Sequence, residues 1–168
     1  MRILGVDPGL VTTGYGIVQV AGTGCRLIEA GVIRTDAAEP LELRILKIYR
    51  EFKDIIAEFG PDAVSVEGLY THYAHPTTAT LMGHARGTIF LAAAEAGTPI
   101  VSYAPTRLKK ALTGDGRAGK LRVQRAVQSL LGLSRCDQPD HVTDALAAAM
   151  CHANVISREN LMQQMSCR

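Results

Sequence analysis

The chain has 168 residues, 47% hydrophobic and 20% charged, which suits one globular domain with a sizeable core and excludes a multidomain machine. No apolar run reaches membrane-spanning length, and Asp7 interrupts the N-terminal stretch where a signal peptide stays hydrophobic, so a cytoplasmic protein without membrane association is expected. The four cysteines form no CxxC pair, which argues against a zinc site or a redox dithiol, and a net charge of +2 singles out no partner.

Residues 2–6 form a short apolar run that ends at Asp7-Pro8-Gly9, and residues 14–20 and 26–35 add two more apolar segments separated by Gly22 and Gly24. Together they read as an antiparallel three-strand meander. From Pro40, the positions Leu41, Ile45, Ile48, Phe52, Ile55 and Ile56 recur at helical spacing until Gly60-Pro61 stops the helix. Residues 62–67 form a short buried strand, residues 77–96 an Ala-rich helix closed by Gly97 and Pro99, and residues 100–103 a fifth strand. Helices follow over residues 105–112, 119–131 and about 139–157. The order implies an α/β fold in which a mixed five-stranded sheet is flanked by helices on both faces. Residues 1–157 make up this domain and residues 158–168 a polar C-terminal tail.

Charge is distributed unevenly. Between Pro105 and Arg125 lie seven basic residues, including Arg107, Lys109, Lys110 and Lys120, against Asp115 alone, so the remainder is net acidic. Such a stretch is either a solvated helix face or an anion-binding footprint.

Asp7 and Glu67 each follow an apolar run at a strand's exit. If those strands are parallel neighbours they stand roughly 5 Å apart, and carboxylates that close repel unless a cation lies between them. His141 and Asp144, three positions apart, share one face of the final helix, which Ala145 and Ala148 continue with side chains small enough to leave room for substrate. Hard divalent cations take oxygen ligands, and two of them roughly 4 Å apart activate a water and stabilise the leaving oxygen of a phosphodiester. Taken singly, Asp7 also suits a turn before Pro8-Gly9, and Asp137 and Asp140 suit capping of the last helix.

The segments GVDPG (5–9), TGYG (13–16), VEGLY (66–70), GHARG (83–87) and DALA (144–147) resemble, in order and spacing, the bacterial RuvC family of crossover (Holliday) junction endodeoxyribonucleases, with a likeness spanning about residues 2–155. The resemblance implies a ribonuclease H-like fold and a homodimer that resolves four-way DNA junctions in recombination and repair by metal-dependent paired nicks. It places the family's acidic ligands on Asp7, Glu67 and Asp144. It also implies Mg²⁺ or Mn²⁺, two per active site, and a partner branch-migration complex of a junction-binding protein and a hexameric ATPase motor. Three positions before the last Asp, where the best-known members carry another Asp, this chain has His141. His141 inherits that role as a ligand or as a group positioning the attacking water. The softer imidazole favours Mn²⁺ and predicts falling activity below pH roughly 6.5, where a free imidazole protonates. Identical pH profiles for wild type and His141→Asp would contradict this.

By the same resemblance Lys109 and Lys120 contact DNA, and Tyr70 stacks on bases at the crossover. The dimer interface is expected on the long helix around Gly83, Ala85 and Gly87, where small residues let backbones approach. Two alternatives stay within reach of the sequence: another ribonuclease H-like nuclease, and a non-catalytic junction-binding module. An actin-like ATPase would need a second such domain, which 168 residues do not supply.

Overall fold

Alternation of side chains along β1 (Arg2–Asp7) divides the molecule into two layers. Leu4 and Val6 point into one core, whereas Ile3 points into the other. In the computed structural model, which describes residues 1–22, 24–68, 76–133 and 140–166, β1 is the middle strand of five. β2 (Thr12–Ala21) pairs antiparallel with β1, and β3 (Gly24–Arg34) pairs antiparallel with β2. On the other side β4 (Ala63–Glu67) and β5 (Ile100–Tyr103) run parallel to β1, giving the order β3-β2-β1-β4-β5. The mixed sheet and its position between helices are as the sequence implied.

α1 (Leu41–Phe59) and α2 (Pro76–Glu95) cover the face of Leu4, Val6, Val64 and Val66, with Ile48, Phe52, Ala85, Ile89 and Ala92 in contact with it. α1 stops where Gly60 turns into the left-handed region and donates its N–H to the Ile56 carbonyl. α3 (Pro105–Thr113), α4 (Lys120–Leu131) and α5 (Asp140–Ser166) occupy the opposite face, where Val123, Val127, Val142 and Leu146 pack on Ile3 and Val18. Among the described residues no helix is long and apolar enough to cross a membrane.

α5 lies unusually close to the sheet because three strand positions lack side chains. A Cβ on Gly5 would stand 1.9 Å from the Ala145 carbonyl oxygen, one on Gly14 2.1 Å from that of His141, and one on Gly16 2.5 Å from Leu146 Cδ2. The Ser65 hydroxyl adds a 2.7 Å hydrogen bond to the Ala148 carbonyl. Ala145 and Ala148 are fully buried at this contact. They therefore allow close packing and do not open space for substrate, contrary to expectation.

α5 also runs on to Ser166, nine residues past the end expected from the sequence. Residues 145–153 are buried, whereas Met162 and Met165 further along are exposed, so helical structure outlasts the apolar signal.

Candidate active site

Parallel pairing of β1 with β4 matches Val6 to Val66, so the next residues, Asp7 and Glu67, leave the sheet side by side. Alternation gives Asp7 the face of Ile3 and Gly5, and Glu67 the face of Ser65, and both faces are covered by α5. The turn after Asp7 is held at both ends. Thr13 donates its hydroxyl to the Gly9 carbonyl at 2.7 Å, and Thr35 donates to the Leu10 carbonyl at 2.5 Å while accepting from Arg44 Nε at 3.0 Å.

Directly across the antiparallel ladder from Asp7 stands Gly14. The absence of a side chain there lets the start of α5 settle onto the strand and brings His141 Nδ1 to 2.6 Å from Asp7 Oδ2. Asp7 is the buried member of the pair at 16% exposure, whereas His141 is 48% exposed. Asp144, one turn on, lines a cleft of about 210 Å³ with Glu67, Lys109 and Lys120, walled by Pro105, Leu108, Val123 and Ala147. Residues from two strands and three helices thus meet at one end of the sheet.

The electrostatics of this end are unfavourable for three negative charges. Burial, then repulsion from Asp7 and Asp144, pushes the Glu67 carboxyl up to about 7, with Lys109 opposing. Asp144 is also raised, by burial and then by Asp7, with Lys120 pulling the other way. Burial raises Asp7 in spite of the His141 hydrogen bond and charge. Among the described residues, no three His, Cys, Asp or Glu side chains converge into a preformed metal-binding cluster. Asp7 instead turns onto His141.

Asp140 lies in the first turn of α5, as expected for a carboxylate at a helix N-terminus. Its carboxylate accepts from Lys120 Nζ and from Gln124 Nε2, each at 2.8 Å, and so ties the first turn of α5 to α4. Asp137 and Tyr70 lie outside the described residues. Ala85 is buried in the α1–α2 core, whereas a Cβ on Gly83 or Gly87 would meet nothing within 4 Å. Of these three residues, Gly83 and Gly87 lie on the open face of α2.

Sequence reasoning quoted Arg86 within GHARG without giving it a role. In the fold it donates from Nη1 to the Glu67 carbonyl at 2.5 Å and from Nη2 to Ser102 Oγ at 2.6 Å. The glycine cradle under α5 was equally unassigned.

The family model "Crossover junction endodeoxyribonuclease RuvC" matches residues 3–152. A protein of that name from Rhodopirellula baltica is 46% identical over 89% of this chain and 84% of its own length. One from Caldicellulosiruptor saccharolyticus is 41% identical over 98% of both chains. Among solved structures, Thermus thermophilus RuvC superposes with a TM-score of 0.88 at 36% identity, covering 95% of this chain and 97% of that one. The same protein in complex with Holliday junction substrate gives 0.87 at 34% identity, covering 94% and 96%. A family model spanning nearly all of the sheet and every candidate ligand, joined to relatives this similar over most of their length, shows that the chain belongs to the RuvC family of crossover junction endodeoxyribonucleases.

Proposed function

We propose that this protein is a structure-selective endonuclease that resolves four-way (Holliday) DNA junctions by symmetric paired nicks. The observation that carries the reading is the gathering of Asp7, Glu67 and Asp144, all raised in pKa, at one end of the sheet, beside a cleft lined by Glu67, Asp144, Lys109 and Lys120, within a RuvC-family chain. Three carboxylates and an imidazole are a hard, oxygen-rich donor set that suits Mg²⁺ or Mn²⁺. Asp7, Glu67, Asp144 and His141 would hold these ions, two per site. When bound, such ions activate water and offset charge on the leaving oxygen of a phosphodiester.

The chain's own residues prepare the site. Glu67 and Asp7 are fixed by adjacent parallel strands, so their spacing is set by the sheet and not by a loop. His141 orients the Asp7 carboxylate through a short hydrogen bond. Lys109 and Lys120 present ammonium groups at the cleft, where they would hold the backbone phosphates flanking the cut. Tyr70, three residues beyond Glu67, would stack on a base at the crossover.

Paired cuts require two sites, which a homodimer supplies by two-fold symmetry. The open face of α2 at Gly83 and Gly87 is the surface we assign to that contact. A branch-migration complex as partner and a cytoplasmic location complete the reading.

Mapping the nicks on an end-labelled four-way junction tests the proposal. Two nicks at symmetry-related positions in strands of like polarity are expected; single or scattered cuts would contradict it. Lys120→Ala should weaken junction binding and lower the slope of log affinity against log salt by about 0.9, the loss of one phosphate contact. An unchanged slope in a salt titration would remove Lys120 from the DNA interface.

A further inference from the structure

Glu67 is the last residue of β4, and its backbone stands where the sheet gives out. The ladder to β1 ends at the pair Val6–Val66, and on the other side Gly68 N–H donates to the Tyr103 carbonyl at 2.8 Å. The Glu67 carbonyl is taken up instead by a side chain from a distant helix. Arg86 of α2 donates from Nη1 to it at 2.5 Å and from Nη2 to Ser102 Oγ on β5 at 2.6 Å. The guanidinium also lies over the Phe90 ring, 4.7 Å from its centroid, which fixes the plane of the fork. One planar group thus bridges the ends of β4 and β5 from the α2 face, opposite the face that α5 covers.

We infer that Arg86 is a positioning residue for the reaction: it anchors the peptide of Glu67 so that the carboxylate stays in the cleft. The inference rests on the functional reading above for the reaction it serves. Arg86 acts through the backbone, because its two donors go to the Glu67 carbonyl and to Ser102 Oγ. A planar fork with two separate donors suits two acceptors on neighbouring strands, and a lysine, with one ammonium point, does not span them. Misplacing a reacting group by about 1 Å costs on the order of a hundredfold in rate.

The test compares wild type with Arg86→Met, Arg86→Lys and Ser102→Ala in the full chain. Junction affinity is measured in EDTA, single-turnover cleavage at saturating enzyme, and Mn²⁺ binding by the loss of the free-ion electron paramagnetic resonance signal. For Arg86→Met, cleavage and Mn²⁺ affinity should each fall by about 10–100-fold, the usual effect of removing a group that orients a ligand, with junction affinity unchanged. Arg86→Lys should recover part of both, and Ser102→Ala should move both in the same direction by less.

Wild-type cleavage and Mn²⁺ binding in Arg86→Lys and Ser102→Ala would overturn the inference, and these mild variants decide the matter if Arg86→Met does not fold. Loss of junction affinity with normal cleavage at saturation would also overturn it, by making Arg86 a DNA contact. A wild-type protein that fails to cut junctions would sink the functional reading alone, since Mn²⁺ binding by the variants still tests Arg86.

Discussion

Glu67→Gln should abolish junction cleavage and at the same time raise the melting temperature of the metal-free protein at pH 8. The two effects have one cause. Burial first, and then repulsion from Asp7 and Asp144 at the same end of the sheet, pushes the Glu67 carboxyl from the ordinary value of 4.5 up to about 7. Between those values the folded chain keeps a proton that the unfolded chain releases, so stability of the metal-free protein falls as pH rises through that window. The amide cannot ionise, and the loss disappears.

The gain should be about 2–4 °C for each kcal/mol of burial and repulsion cost removed in a chain of this size, and it should vanish below pH 4.5, where Glu67 is protonated in both states. Adding Mg²⁺ or Mn²⁺ at pH 8 should stabilise wild type by mass action and the variant far less. The cost in cleavage should be about a thousandfold or more, roughly 4 kcal/mol of transition-state stabilisation. Thermal melts across pH, with and without metal, read the first effect, and single-turnover cleavage reads the second. A variant that melts lower than wild type at pH 8 would remove the electrostatic account of the site.

Gly5→Ala is the substitution expected to damage the fold most. The added methyl would stand 1.9 Å from the Ala145 carbonyl oxygen and 2.7 Å from the Ala149 nitrogen, both backbone atoms in the buried stretch of α5. Neither atom can step aside unless α5 lifts from the sheet, and with it Asp144. Overpacking of this kind costs about 1–3 kcal/mol and sometimes more, and backbone against backbone belongs at the upper end. Gly16→Ala is the comparison, because its methyl would meet the end of the flexible Leu146 side chain at 2.5 Å. Urea unfolding should place Gly5→Ala clearly below Gly16→Ala; equal midpoints would mean that α5 is not clamped as described.

These contacts also show what a sequence can and cannot disclose. Strands and helices were legible because their apolar spacing is local: Leu4 and Val6 alternate with Ile3 and Gly5, and α1 repeats its buried Ile48, Phe52 and Ile55 at helical intervals. Asp7 and Glu67 were legible as a pair because both follow buried runs at strand exits, and parallel pairing needed only the order of elements.

The glycine cradle was not, since Gly5 and Ala145 are 140 positions apart and nothing in either neighbourhood signals the other. The ties of Asp140 to Lys120 and Gln124 were hidden in the same way, because position relative to a helix start is local, whereas those two residues reach it from a different helix. The end of α5 was placed too early for a related reason. Apolar periodicity records burial, and Met162 and Met165 in the last turns of that helix are exposed.

The central claim is that Asp7 and its neighbours cut four-way junctions in particular. It is tested most directly by offering wild type and Asp7→Asn an equimolar set of labelled four-way junction, linear duplex and RNA–DNA hybrid, with Mg²⁺ or Mn²⁺. Metal-dependent paired nicks in the junction alone, lost in Asp7→Asn while junction binding persists, are the predicted result. Cleavage mainly of the hybrid or duplex, or junction binding with no cleavage under either metal, would contradict the account.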